Sequence, residues 1–396
     1  MTILRIAAAA LAALTLTGCT ISGGPTASAP RLTSPSPNPA DSKAADFRTR
    51  MDLLLGEHVI VIAKQSSAAR RADEFTSYLH LLTANGNDLT ELMRSALGDN
   101  GGNQFDKIWS AQNDYLVNYT IGQVTHNKTK ADGAMKNLVG GFVPQFSQFV
   151  STAADVPLES IAQLTTQHAL QMKAMIDDQI AQSYPRLYAD LHLVYTQAFR
   201  LGDGFAPQIA RRFPDKFPGN ASSLAVDLRV SVNILLQEHA YLTTMTSSAG
   251  IGGRVAEQKA AAAALSENTN ALGAVFSDLF GASAGIQFDQ IWAAKNAAVI
   301  GYASAATAAA REGASKQLTE VFVPRFSGFV QTLTGVTLRP AVESHIQATI
   351  DVINDQLSKS SAKLGAGDRS AAAFMELVAD LVAAGAVAKL PLRFPA

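Results

Sequence analysis

The chain has a single cysteine, Cys19, in 396 residues. An intramolecular disulfide is thereby excluded, and so is any metal or redox centre built from two thiols of one chain. Charge is also scarce. Only 16% of residues are charged, 32 basic against 33 acidic, for a formal net charge of −1. Arg211 and Arg212 are an isolated basic pair, so the basic face on which a nucleic-acid binder relies is missing. There is no Gly-x-Ser-x-Gly elbow, no P-loop and no Gly-x-Gly-x-x-Gly turn, which removes the common sequence signatures of acyl transfer and of phosphate or dinucleotide binding. Hydrophobic residues make up 47%, too many for a disordered chain and enough to fill the cores of two or three domains.

What is present begins at the N-terminus. Arg5 is the only charge before an apolar run over residues 6–16, which ends in Leu16-Thr17-Gly18-Cys19. The run is too short to span a bilayer as a stable helix and fits the apolar region of a signal peptide. Its end resembles the lipobox of bacterial lipoproteins. The resemblance implies cleavage after residue 18 and acylation of Cys19, each buried acyl CH₂ adding roughly 0.8 kcal/mol of membrane affinity. The expected location is the extracytoplasmic face of the cell membrane, with the membrane as a partner through the lipid. Residues 19–43 follow as a Pro/Ser/Thr-rich linker with five prolines, a composition that favours an extended tether. No other stretch reads as membrane-spanning.

The mature chain repeats itself at an interval of about 180 residues. Glu57-His58 recurs as Glu238-His239, and Gln104-Phe105-Asp106-Lys107-Ile108-Trp109 as Gln287-Phe288-Asp289-Gln290-Ile291-Trp292. Phe142-Val143-Pro144-Gln145-Phe146-Ser147 recurs as Phe322-Val323-Pro324-Arg325-Phe326-Ser327. His168 matches His345, Asp178 matches Asp355, and Arg212-Phe213-Pro214 matches Arg393-Phe394-Pro395. Blocks kept in one order imply duplication, with repeat 1 over residues 44–218 and repeat 2 over 222–396.

Each repeat reads as helix throughout. Met51, Leu54, Leu55, Val59 and Ile62 recur at three and four residues, the spacing of one helix face, and similar stripes occupy 74–97, 104–127, 131–152, 158–182 and 185–211. The expected fold class is all-α: two tandem antiparallel bundles of five or six helices each. Pro144 should kink or break its helix. Asp155 is expected to cap the helix that Pro157 opens, and residues 213–220 to connect the repeats.

The polar residues matched between repeats are the candidate functional set. His58, His168, His239 and His345 all fall on apolar stripes, so two histidines per repeat should face the core from different helices. With Glu57 and Asp178, or Glu238 and Asp355, they could form a His/carboxylate site for a divalent metal inside a bundle. The structural alternative is a core histidine hydrogen-bonded to fix helix register. Trp109 and Trp292 are expected in the core. His80, His126 and His192 have no counterparts and read as surface or local features.

These blocks resemble a helical module of secreted bacterial proteins often named after an appended copper-amine-oxidase-like N-terminal domain. The likeness rests on Glu57-His58, on Asn85, Asn87, Asp88 and Leu89, and on Phe105 four residues before Trp109. It continues in His168 followed by Ile176-Asp177-Asp178, and in Arg212 to Phe217. It covers nearly all of 50–217 and, more weakly, 228–395. It implies a helical fold and export, and no amine oxidase activity. Such modules often carry a His three residues after the Trp and another in the last helix. Gln112 and Lys295 stand at the first place and Gln197 near the second, so the resemblance implies a depleted set of histidines.

The leading expectation is a non-catalytic, lipid-anchored envelope protein that binds a partner protein, a wall component or an apolar ligand. The second is a metal-binding bundle on the residues named above. The third, an apolar-ligand carrier, would need a large interior cavity lined by Ala and Met.

Overall fold

The computed structural model describes residues 38–395. The expected signal peptide, Cys19 and most of the linker lie outside the described residues. In chain order the helices of the first half are α1 Lys43–Ser67, α2 Ala72–Val124, α3 Lys128–Asn137, α4 Val143–Ala154, α5 Leu158–Ile180, α6 Tyr184–Asp203 and α7 Ala206–Arg212. Those of the second half are α8 Leu224–Ile251, α9 Val255–Phe280, α10 Ala282–Ser304, α11 Ala308–Lys316, α12 Val323–Thr334, α13 Arg339–Leu357 and α14 Leu364–Lys389. No strand occurs among the described residues.

Two of these helices are buried nearly all round. From Ala44 to Ser66 almost every residue of α1 is out of solvent, and α8 matches it from Ala225 to Ala249. A helix that is apolar on every face must be enclosed, and Leu54, Val59, Ile60, Val61 and Ile62 supply that surface in α1. Full burial of each such side chain is worth about 1.5–3 kcal/mol. Both helices start on a serine cap: Ser42 Oγ accepts from the Ala45 amide and Ser223 Oγ from the Val226 amide. The cap satisfies one of the orphan N–H groups of the first turn.

The other helices wrap these two, and they do not sort by half. Helix α1 packs against α2 and α6, and α8 against α9 and α14. In addition α1 lies on α8, α2 touches α14, and α6 touches α9. Contacts therefore do not divide at residues 213–220, and the described residues form one compact unit.

The stripes at 74–97 and 104–127 are two helical stretches that meet within α2 at Gly98, whose φ 75° and ψ −178° are non-helical, values open to glycine and costly for a side chain. Two other local expectations are revised. Pro144 does not break its helix. A π-turn over Leu138–Phe142 precedes it, and a second over Gln317–Phe322 precedes Pro324. The wide turn sends the Val143 amide back to Leu138 O and the Val323 amide to Leu318 O, so the carbonyl four residues before each proline is displaced from its ring. Asp155 does not cap α5: it closes α4 in the left-handed conformation, with φ 56° and ψ 52°.

Helix α14 belongs to a stretch, Ser361–Lys389, long and apolar enough to cross a membrane by length and composition. In the structure it is a core helix of the compact unit, burying Ala371, Ala372, Met375, Val378, Ala379 and Val382.

Candidate functional site

The matched histidines are buried as the stripes required. His58, His239 and His345 have no accessible surface and His168 almost none. In the first half, α1 contributes His58, α2 contributes Trp109, Gln112 and Asn113, α5 contributes His168, and α6 contributes Gln197. The His58 and His168 ring centroids are 6.3 Å apart, and Trp109 lies 4.9 Å from His58. Phe105 stacks on Trp109 at 5.5 Å, while Phe142 meets it edge-on at 6.2 Å. The second half repeats this arrangement: His239 is 4.5 Å from Trp292, with Phe288 stacked at 5.0 Å and Phe322 edge-on at 5.9 Å. The two Phe-Val-Pro-x-Phe-Ser blocks are thus the far walls of two aromatic boxes.

Polar partners fix the rings. His58 Nε2 lies 2.9 Å from Asn113 Oδ1. His168 Nδ1 donates to Gln197 Oε1 at 3.2 Å, and the Gln197 amide is oriented because its Nε2 donates to Leu164 O. His345 Nδ1 donates to Ala371 O at 2.9 Å. His239 Nδ1 donates to Asn268 Oδ1 at 3.0 Å, and Asn268 is oriented through its own donation to Leu235 O and Glu238. Burial disfavours the charged form of all four. His58 is pushed down to about 3, by burial and then by His168, and His168 to about 4. His345 falls to about 3, and His239 well below its ordinary value, by burial and then by Lys295. All four are neutral imidazoles at physiological pH.

The halves also differ in charge at one position. Lys295 of α10 is wholly buried, and its Nζ donates to His239 Nε2 at 3.1 Å and Thr243 Oγ1 at 3.2 Å. Gln112 takes its place in the first half, and neither atom of its amide has a hydrogen-bond partner. Burial lowers the Lys295 amine to about 7.

The matched carboxylates turn away from the histidines. Glu57 accepts from Asn85 at 2.9 Å, from Tyr241 at 2.8 Å and from Arg369 Nε at 2.9 Å. Glu238 accepts from Asn268 at 2.9 Å and from His192 Nδ1 at 2.8 Å. Asp178 pairs with Arg186 at 2.9 Å, and Asp355 is half-exposed at the end of α13. Adjacent positions on a helix point about 100° apart, so Glu57 leaves for the interface as His58 enters the core. The His/carboxylate set expected from sequence is therefore not assembled. No group of three or more His, Cys, Asp or Glu suited to a metal is found among the described residues.

Sequence reading missed His192. It is exposed, yet it performs for Glu238 what Arg369 performs for Glu57, each crossing from the last long helix of one half to the central helix of the other. The pairing was concealed because the residue types differ. His80 and His126 are exposed.

A groove of about 980 Å³ between α5 and α6 is open and lined by Glu159, Gln163, Gln167 and Asp190 beside Leu170 and Leu193. A smaller hollow of about 210 Å³ lies where the halves meet and is lined by Arg50, Glu57, Asp88, Arg369 and Glu376. No known protein family, curated protein or solved structure matches the chain.

Proposed function

We propose that this protein is an exported lipoprotein, acylated at Cys19 and tethered by its linker to the extracytoplasmic face of the membrane. Its body is read as a duplicated bundle whose two copies clasp each other, with a structural or binding role in the envelope and a protein or wall component as partner. Export and anchoring are supported by the apolar run, the Leu16-to-Cys19 motif and the position of the one cysteine. Duplication is supported by the ordered sequence blocks and by the paired π-turns at Pro144 and Pro324.

One observation carries the preference for a structural role over catalysis. Glu57 and Glu238, the matched carboxylates that a general base or metal ligand would require, are each consumed in a contact between halves.

Two experiments test this reading. Cys19→Ala should move the protein from the membrane fraction to the soluble one, and continued membrane retention would refute the anchor. Glu57→Gln should lower the melting temperature of the folded body by several degrees, because Arg369 and Tyr241 lose a charged acceptor. An unchanged melting curve would remove the structural assignment.

A further inference from the structure

The hollow of about 210 Å³ where the halves meet lies beside Gln237 of α8, and the matching place beside Gly56 of α1 is filled. There Phe199 of α6 meets Tyr195 edge-on at 4.7 Å. A Cβ on Gly56 would stand 2.7 Å from the tip of the Phe199 ring and 2.8 Å from Tyr195, so no room is left. In the second half the positions of Tyr195 and Phe199 fall to Ala372 and Glu376, by the spacing that pairs His168 with His345. An aromatic ring is thus exchanged for a carboxylate, and the space stays open.

Three carboxylates line this hollow, Glu57, Asp88 and Glu376, against two guanidinium groups, Arg50 and Arg369. Arg369 is engaged: it donates to both oxygens of Glu57 and, at 2.9 Å, to Asp88 Oδ2. Arg50 is not. Its guanidinium stands 3.5 Å from Asp88 and 3.7 Å from Glu376, too far for a sound hydrogen bond to either, and its side chain is 47% exposed. Glu376 Oε1 accepts from Gln237 Nε2 at 2.9 Å, whereas Oε2 has only the distant Arg50 among the described residues. Burial raises the Glu376 carboxyl above its ordinary value, and neither Gln237 nor Arg50 cancels the rise. One negative charge in a partly enclosed site is therefore short of a close partner.

The geometry indicates what would meet it. A single guanidinium already reaches both Asp88 and Glu376 from the rim, through different nitrogens of Arg50. An exposed ion pair of this kind contributes at most about 1 kcal/mol, so a guanidinium seated deeper, within hydrogen-bond distance of the carboxylates, displaces it at little cost. Leu53, Leu54 and Ala373 add apolar surface to the lining and suit a short alkyl stem. The volume falls below the roughly 300–1,000 Å³ of drug-sized sites, so the ligand is small. An anion would meet three like charges.

We propose that this hollow binds one small alkylguanidinium or amidinium cation between Asp88 and Glu376, with Arg50 giving way to it. The first half, with Phe199 in that place, binds none. The inference is independent of the anchor and goes beyond the structural role given to Glu57.

The test is calorimetric titration of the full chain at low ionic strength with propylguanidinium, propylammonium and propionate, each added alone. One propylguanidinium per chain is expected. Propylammonium should bind at least tenfold more weakly, because an ammonium lacks the flat fork that spans two carboxylates, and propionate should not bind. Glu376→Gln keeps the size of the side chain and its acceptor for Gln237, and should weaken binding at least tenfold. Glu376→Phe installs the first half's own residue and should abolish binding in a protein that still melts cooperatively. Arg50→Gln should tighten binding several-fold, since it removes the resident competitor, and a general loss of stability would not move it opposite to Glu376→Gln. Four results would each overturn the assignment and leave water in the hollow: no heat with propylguanidinium up to about 10 mM, equal binding of propylammonium, binding unchanged in Glu376→Gln, or binding weakened in Arg50→Gln.

Discussion

Arg48 and Arg229 make the same three contacts in opposite directions across the centre of the protein. Arg48 donates to Asp203 at 2.7 Å within its half, then to Asp227 at 2.6 Å and Ala221 O at 2.8 Å beyond it. Arg229 donates to Asp380 at 2.8 Å, then to Asp46 at 2.6 Å and Ala40 O at 3.2 Å. Each guanidinium thus meets an acid in the first turn of the opposite central helix, where negative charge also favours the helix dipole. A self-complementary contact of this kind characterises two-fold dimers; here both sides lie in one chain. Because each arginine is mostly buried with its acceptors arranged around it, Arg229→Ala should cost about 2–4 kcal/mol in urea unfolding. A loss below 0.5 kcal/mol would show that the clasp is incidental.

One departure from this symmetry yields a pH prediction. Where α8 has Asn233, whose Nδ2 donates to Asp380 at 2.7 Å, α1 has Asp52. Burial first, and then the charge of Asp203, raise the Asp52 carboxyl well above its ordinary value. Both of its oxygens are buried without a hydrogen-bond partner, and the Arg48 guanidinium 4.0 Å away opposes the rise without cancelling it. A carboxyl with a raised folded-state value adds stability in full below its unfolded value and loses it as pH rises toward the folded value. Asp52→Asn should therefore melt higher than the parent at pH 7.5, with the gap closing as pH falls toward 4. Equal melting temperatures across that range would contradict a protonated Asp52.

The same comparison explains how much could be read from sequence. The apolar stripes of α1 and α8 revealed helices and inward histidines because periodicity reports which face is buried. They did not reveal that these helices are central, since a bundle in isolation and a bundle closed by further helices bury similar stripes. Arg48, Asp203, Arg229 and Asp380 are ordinary charged residues at unremarkable spacings, and their roles exist only across the interface. Glu57 was misplaced for a related reason. A carboxylate beside a histidine in sequence points to another side of the helix, and only the neighbouring half determines what waits there. Gln112 was legible as a position and not as a contact.

His192 and Arg369 differ in how they respond to pH. The hydrogen bond to Glu238, opposed by burial, raises the His192 imidazolium above its ordinary value. Its contribution is complete below about pH 6.5, the unfolded value, and is lost as pH rises through the raised folded value. Arg369, bound to Glu57 and Asp88, stays charged throughout. His192→Arg should thus flatten the pH dependence of thermal stability between 6 and 8.5. A variant that keeps the parent's slope would place the titrating group elsewhere.

Lys295 should act in the opposite direction. Burial lowers its amine to about 7 against an unfolded value of about 10.4. The unfolded chain binds the extra proton between those limits, so folding weakens as pH falls from 10 toward 7, by up to about 1.4 kcal/mol per pH unit. Below pH 7 both states are protonated and the effect stops growing. Relative to Lys295→Gln, the parent should gain stability steadily from pH 7 to pH 10 in guanidinium unfolding. A constant difference over that interval would mean that the amine remains charged in the core.

The last prediction concerns a fully buried ion pair that joins the halves. Lys64 Nζ donates to Asp368 Oδ2 at 2.7 Å and to Thr244 Oγ1 at 2.9 Å, and Tyr78 donates to the same carboxylate oxygen at 2.8 Å. The side chains of Lys64 and Asp368 are 4% and 0% exposed, so removing either strands a charge away from water. Asp368→Ala should cost about 3–5 kcal/mol. Replacing both charges removes that penalty along with the attraction, because an apolar pair of similar volume requires no desolvation. Lys64→Met with Asp368→Leu should recover most of the loss and stay within about 1 kcal/mol of the parent. A coupling energy below 1 kcal/mol in that double-mutant cycle would show the pair to be independent side chains rather than a lock between α1 and α14.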